Sequence, residues 1–213
     1  MPQLRTKICG LSTPETVDAA IAGGAAWVGF NFFANSPRYV DPAAARGLIA
    51  RVPGRVGNVA VLVDPDDALV EQAVAAGVTA LQLHGGETPE RAAALHARFQ
   101  LEVWKAIPLR TRADLAAVQA YRGAAQRIVY DAKPPTGAGL PGGLGLRFDW
   151  RLLDGFDHPL PWLLSGGLDA DNLAEAVGVT GARAIDVASG VESAPGVKQV
   201  DKIAAFLQAA GRA

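Results

Sequence analysis

The feature that most restricts the fold of this chain is a junction it repeats: an alanine-rich amphipathic stretch, a glycine, two or three residues, then a short apolar run. It occurs as GAAWVGF from Gly24, GVTALQL from Gly77 and GARAIDV from Gly181. A glycine past a helix end takes the left-handed conformation that other residues resist, and a β-branched or aromatic run suits a buried strand. Each copy reads as a helix passing into a strand. The reverse junction recurs as well, with Ser12 and Thr13 before Pro14, Asp41 before Pro42, Asp64 before Pro65, and Thr88 before Pro89. A side-chain oxygen that accepts early amide hydrogens, followed by a proline just inside, marks a helix start.

Both signals together predict strands near 4–9, 27–32, 56–63, 80–84, 102–107, 126–131, 162–165 and 184–188, with helices between them. Apolar faces support the helices, for example Val17, Ala20 and Ile21 in the first, Leu69, Ala73 and Val74 in the third, and Ile203, Leu207 and Ala210 in the last. Strand followed by helix throughout requires parallel pairing. Eight such pairs in a chain of 213 residues match a (β/α)8 barrel, whereas open doubly wound sheets usually stop at about five or six strands. The fold expected is α/β, one TIM barrel spanning 1–213. The longest stretch without helical pattern runs from Ala132 to Arg147 and is rich in proline and glycine, which in a compact barrel suggests a lid over the active site.

Composition narrows the function classes. There are 20 basic and 21 acidic residues, a net charge of −1, and no long run of either sign, so no nucleic acid and no membrane surface is expected as a partner. A small-molecule ligand is expected instead. One cysteine excludes an internal disulfide framework, and with three scattered histidines it leaves no spacing for a Cys/His metal site. No metal is assigned. The opening MPQLRTKICG lacks the apolar stretch of a secretion signal, and no segment has about eighteen consecutive apolar residues, so a cytoplasmic location is expected.

In a barrel of this kind the reactive groups lie where strands end and loops begin. Cys9 ends the first strand, His84 the fourth and Asp131 the sixth, Lys105 lies near the end of the fifth, and Ser165 and Ala188 close the last two. Strand alternation puts Cys9 on the face of Lys7 and Asp131 on the face of Val129. If those faces point inward the two converge. A free cysteine also serves as a small buried hydrophobe, and Asp131 also suits a loop cap. As a thiolate facing a carboxylic acid, the pair suits proton abstraction beside a carbon–nitrogen bond while a ring oxygen is protonated.

Two glycine clusters, SGGL at Ser165 to Leu168 and ASGVE at Ala188 to Glu192, follow the last two strands, where barrels commonly hold phosphate on backbone amides. Each alone also suits a tight turn. Asp169 and Asn172 fit a helix cap better than a substrate contact. Arg38 in NSPRYV suits a bidentate grip on a carboxylate or phosphate, or a solvated surface position. His84 in QLHGGE suits titration near neutrality or a backbone hydrogen bond.

Seven ordered blocks across nearly the whole chain resemble the phosphoribosylanthranilate isomerase family of the tryptophan pathway. They are KICGLS, VGFNFFANSPRYV, LQLHGGE, YDAKPP, PGGLGLRFDW, LLSGGLDADN and IDVASGVESAPGVK. The resemblance implies an Amadori rearrangement of N-(5′-phosphoribosyl)anthranilate, with no cofactor and no metal, by a monomer or homodimer acting on a small phosphorylated substrate. It implies Asp131 as the acid that opens the furanose, Cys9 as the base that takes the C2′ proton, and Arg38 as the group that orients the anthranilate carboxylate. It places the amides of Gly143, Gly166, Gly167, Ser189 and Gly190 around the phosphate. Leu144 stands where the family pattern has a small polar residue in the loop after strand six, which bears on the lid. Gln199 stands where an aspartate is common, which bears on a helix start.

Rivals of two classes, another sugar-phosphate barrel enzyme and a barrel that only binds, share features of this pattern, and these residues are also compatible with a dual-substrate isomerase. A histidine-pathway aminosugar isomerase uses two aspartates, whereas the first strand here ends in cysteine, and metal-dependent epimerases need histidines and aspartates at strand ends that this chain does not supply. A phosphate-binding barrel without chemistry is separated by turnover.

Overall fold

A computed structural model describes residues 4–135, 137, 140 and 142–213. Its centre is a closed barrel of eight parallel strands in chain order. They are β1 (Arg5–Cys9), β2 (Trp27–Asn31), β3 (Gly57–Leu62), β4 (Ala80–Leu83), β5 (Glu102–Leu109), β6 (Arg127–Ala132), β7 (Trp162–Leu164) and β8 (Ala184–Val187). β8 returns to β1 through a register running from Arg5 opposite Ala184 to Ile8 opposite Val187, which closes the ring. Around it lie the α-helices α1 (Pro14–Ala22), α2 (Pro42–Ile49), α3 (Asp67–Ala75), α4 (Pro89–Phe99), α5 (Leu173–Thr180) and α6 (Val200–Ala210).

The junction glycines behave as their positions require. Gly24, Gly77 and Gly181 all have positive φ, at 84°, 101° and 66°. At the helix starts, Thr13, Asp41 and Thr88 accept amide hydrogens from the first turn. The start expected at Asp64 moves to Asp66, whose carboxylate accepts from Leu69 N at 2.8 Å. Asp64 instead sits at φ 44° and accepts from Gly86 N at 2.7 Å, tying the loop after β3 to the loop after β4.

Two of the eight expected helices differ in kind. The segments after β5 and β6 form 3₁₀ helices at Arg112–Tyr121 and Trp150–Leu153. Leu115, Val118 and Tyr121 are buried, as are Trp150 and Leu153, so each segment buries every third residue. A helix of three residues per turn puts such residues on one face. A short hairpin, β9 (Glu192–Ala194) with β10 (Val197–Lys198), also precedes α6. Its turn residue Gly196 has φ 83° and lies so close to the Pro37 carbonyl that a Cβ would collide. α6 starts at Gln199 without a side-chain cap, as the departure at that position predicts. Of the expected lid from Ala132 to Arg147, residues 136, 138, 139 and 141 lie outside the described residues.

Two apolar layers hold the fold. The larger lies between strands and helices and takes in Val17, Ala20, Ala73, Ile203, Leu207 and Ala210, with Ile21, Leu69 and Val74 packed at its margin. The smaller fills the barrel, with Trp27, Val59, Trp104, Val129 and Leu163 among its members. Trp27 and Trp104 meet edge to face, centroids 5.3 Å apart. Among the described residues no helix is long and apolar enough to cross a membrane.

Candidate active site

The inner apolar layer stops short of the C-terminal strand ends, and a cavity opens there. Cys9 from β1 and Asp131 from β6 both line it, so the two faces expected to point inward do. Each is buried, with 8% and 6% of its surface exposed. Arg38, Gly143, Gly166, Gly167 and Ser189 line the same cavity, together with His84, Ser165 and Ala188. Gly190 is not among the lining residues. A Cβ there would run into the Leu168 carbonyl, so its bare backbone lets the loop after β8 pack on the loop after β7.

A file of polar side chains crosses the cavity floor. Lys7, fully buried, donates to Cys9 Sγ at 3.1 Å, to Gln82 Oε1 at 2.9 Å and to Asp186 Oδ1 at 3.0 Å. Gln82 Nε2 lies 3.0 Å from His84 Nδ1, and His84 Nε2 lies 3.2 Å from Asp131 Oδ2. Asp131 Oδ1 accepts from the amide of Ala132 at 2.8 Å. Burial pushes the Cys9 thiol up, with the Lys7 ammonium pulling it down and Asp186 adding to the rise. Burial opposes the charge on Lys7, but the Asp186 carboxylate and the Cys9 sulfur outweigh it and raise its pKa, holding the ammonium form.

Arg38 is buried, which removes the solvated-surface reading. Its guanidinium grips Glu192 with Nε at 2.7 Å and Nη2 at 2.8 Å, and Nη2 also donates to the Gly143 carbonyl at 2.9 Å. Lys198 donates to the same Glu192 carboxylate at 2.6 Å. Arg38 and Lys198 share the one Glu192 carboxylate, and burial lowers the Lys198 pKa. Gly10, with φ 76°, makes room for Arg38: a Cβ at 10 would lie 2.6 Å from Arg38 Cδ. Gly142 lies over Asp131 and His84, where a Cβ would fall 2.5 Å from both Asp131 Oδ2 and His84 Nε2.

Asp169 and Asn172 brace the turn ahead of α5. Asp169 Oδ1 accepts from the amides of Asp171 and Asn172, and Asn172 Nδ2 donates to the Gly167 carbonyl. Lys105 does not line the cavity and pairs with Glu87 beneath the loop after β4. Among the described residues no group of three or more metal-ligating side chains is placed to hold an ion. Sequence reasoning passed over Gln82, Asp186, Glu192 and Lys198, and noted Lys7 only as the neighbour of Cys9 in alternation. The signal available was a lone polar residue inside an apolar strand, as in LQL and IDV.

A family model described as N-(5′-phosphoribosyl)anthranilate (PRA) isomerase matches residues 6–209. The chain belongs to this family. The N-(5′-phosphoribosyl)anthranilate isomerase of Zymomonas mobilis subsp. pomaceae is 56% identical over 207 residues, covering 97% of each chain. The crystal structure of phosphoribosyl anthranilate isomerase from Thermotoga maritima has a TM-score of 0.88 at 32% identity, covering 99% of this chain and 100% of that one. A structure of such an isomerase in complex with reduced 1-(o-carboxyphenylamino)-1-deoxyribulose 5-phosphate has a TM-score of 0.86 at 31% identity, with 99% and 100% covered. Leu144, the expected departure from the family, is 42% exposed and lines the cavity, where it adds apolar surface.

Proposed function

We propose that this chain isomerises N-(5′-phosphoribosyl)anthranilate to 1-(2-carboxyphenylamino)-1-deoxyribulose 5-phosphate, in tryptophan biosynthesis, with Asp131 as acid and Cys9 as base. Family membership and the bound product analogue of the related structure support the reaction. The observation that carries the residue roles is the placement of Cys9 and Asp131 in one cavity, joined by a continuous file of hydrogen-bonded side chains.

In this reading Asp131 gives its proton to the furanose oxygen as the bond from that oxygen to C1′ breaks. The nitrogen lone pair forms the C1′–N double bond of a protonated Schiff base. The Cys9 thiolate then removes the C2′ proton, the electrons of that C–H bond become a C1′–C2′ double bond, and the C–N pair returns to nitrogen. The enolamine that results tautomerises to the ketone. Lys7 sits against the sulfur and favours its anionic form, while burial opposes that form.

Gly166, Gly167 and Ser189, at the ends of β7 and β8, form the phosphate end, with Gly143 closing from the lid and Gly190 allowing the two loops to approach. Glycines at φ 89° and 64° in positions 166 and 167 let backbone amides turn toward an anion. The Arg38 guanidinium, which lines the cavity and reaches the Gly143 carbonyl, suits the anthranilate carboxylate. The test is a fluorescence assay of the purified protein with phosphoribosylanthranilate generated in situ. The anthranilate emission falls with time if the chain isomerises it. Stable emission in the presence of bound ligand overturns the proposal in favour of a barrel that binds without turnover.

A further inference from the structure

Gln82 and His84 stand two residues apart at the end of β4 and join the two halves of the site. An amide has one accepting end and one donating end, and a neutral imidazole carries its hydrogen on one of two nitrogens. Which end is which follows from Lys7. An ammonium has three hydrogens and no lone pair, so it only donates. Its hydrogens go to Cys9 Sγ, Asp186 Oδ1 and Gln82 Oε1, all between 2.9 and 3.1 Å. The amide oxygen of Gln82 is thus pinned to Lys7, and turning the amide over would set two donors against each other. Its NH₂ group is left facing His84 Nδ1 at 3.0 Å. Nδ1 must accept that hydrogen with its lone pair, so the ring hydrogen belongs on Nε2, 3.2 Å from Asp131 Oδ2. Lys7 is fully buried and Gln82 is 1% exposed, so water does not compete for these groups.

We propose that Lys7 and Gln82 are positioning residues that lock His84 in its Nε2–H tautomer, so that the ring always presents a donor to Asp131. When Asp131 transfers its proton to the substrate oxygen, the carboxylate left behind accepts from His84 Nε2–H on one oxygen and from the Ala132 amide on the other. His84 gains and loses no proton in this step. The ammonium that faces the sulfur of the base therefore also orients the partner of the acid, and the two halves of the site are coupled through β4. The kinetic consequence rests on Asp131 being the acid, whereas the tautomer does not.

The test is ¹⁵N NMR of protein labelled in its histidine rings, with the His84 signals assigned by their loss in His84→Asn. The expected spectrum has a hydrogen on Nε2 and a bare Nδ1. Gln82→Glu is isosteric and keeps an acceptor for Lys7, but it offers Nδ1 a second acceptor in place of the donor. It should move the ring hydrogen to Nδ1 and lower kcat by about 10-fold or more while KM changes about 2-fold or less. A wild-type ring protonated on Nδ1 overturns the proposal, as does a Gln82→Glu ring that keeps Nε2–H. If that variant does not fold, the wild-type spectrum decides alone. A reversed tautomer with unchanged kcat removes the positioning role. Asp131→Asn at the wild-type rate removes the acid assignment while leaving the tautomer standing.

Discussion

The two ends of the barrel interior are made by the same strands and hold opposite chemistry. Toward the N-terminal ends lie Trp27, Val59, Ala80, Trp104, Val129 and Ala184. Arg5 sits over the Trp27 ring at 3.9 Å, Arg127 lies 5.3 Å from Trp27 and 5.6 Å from Trp104, and Glu102 accepts from both Trp104 and Arg127. Two residues further along, the same inward faces carry Cys9 beyond Lys7, His84 beyond Gln82, and Asp131 beyond Val129. Burying apolar rings stabilises the fold, whereas burying an ammonium and carboxylates is tolerated only with every charge partnered. One end holds the barrel together; the other orients buried polar groups around the cavity.

That division predicts that damage to one end leaves the other largely intact. The largest effect expected is on stability: Trp104→Ala, at a fully buried ring, should lower the unfolding free energy by about 3–5 kcal/mol in urea titrations. The folded fraction should keep kcat within about twofold, and a large loss of kcat in folded protein would show that the ends are not independent. Next come Cys9→Ala and Asp131→Ala, each expected to lower kcat at least about 10²-fold, roughly 2.7 kcal/mol of barrier, with little change in melting temperature. Wild-type rates in both would end the assignment of base and acid. Arg38→Ala should raise KM by about 10-fold with a smaller change in kcat. An unchanged KM would make Arg38 a brace for Glu192 and Gly143 rather than a substrate contact.

The smallest effect is a pH dependence set by Cys9. Burial raises its pKa above the ordinary thiol value, so the thiolate form, and with it kcat/KM, should increase as pH rises through the mildly alkaline range. Stability runs the other way. Above the ordinary thiol value the unfolded chain has lost this proton and the folded chain has kept it, so the contribution of Cys9 to stability declines as pH rises. A flat kcat/KM across that range would mean that no thiol deprotonation limits the reaction.

Much of the architecture was legible in short stretches. The junction glycines and helix-start oxygens are local devices, and all eight strands lie within a residue or two of their expected bounds. The misreadings share a cause. Between β5 and β6 a helix is expected only from the alternation of strands and helices, and the buried spacing of three at Leu115, Val118 and Tyr121 fits one face of a 3₁₀ helix as well as of an α-helix. Asp64 looked like a helix cap because Asp–Pro commonly opens a helix, yet its carboxylate serves a loop 22 residues away. The acid and base candidates were legible as polar groups at strand ends, while their partners were not.

What the sequence determined by itself is therefore the order of strands and helices, the parallel barrel they imply, and the strand-end positions of Cys9 and Asp131, because each depends on spacings of a few residues. Only the tertiary structure decided that Lys7 meets Gln82 and Asp186, 75 and 179 residues further along the chain, and that Arg38 meets Glu192, 154 residues away. Those meetings depend on barrel closure, which brings β1 beside β8 and faces it across the interior to β4. Local periodicity says which way a side chain points; ring closure says what it finds there.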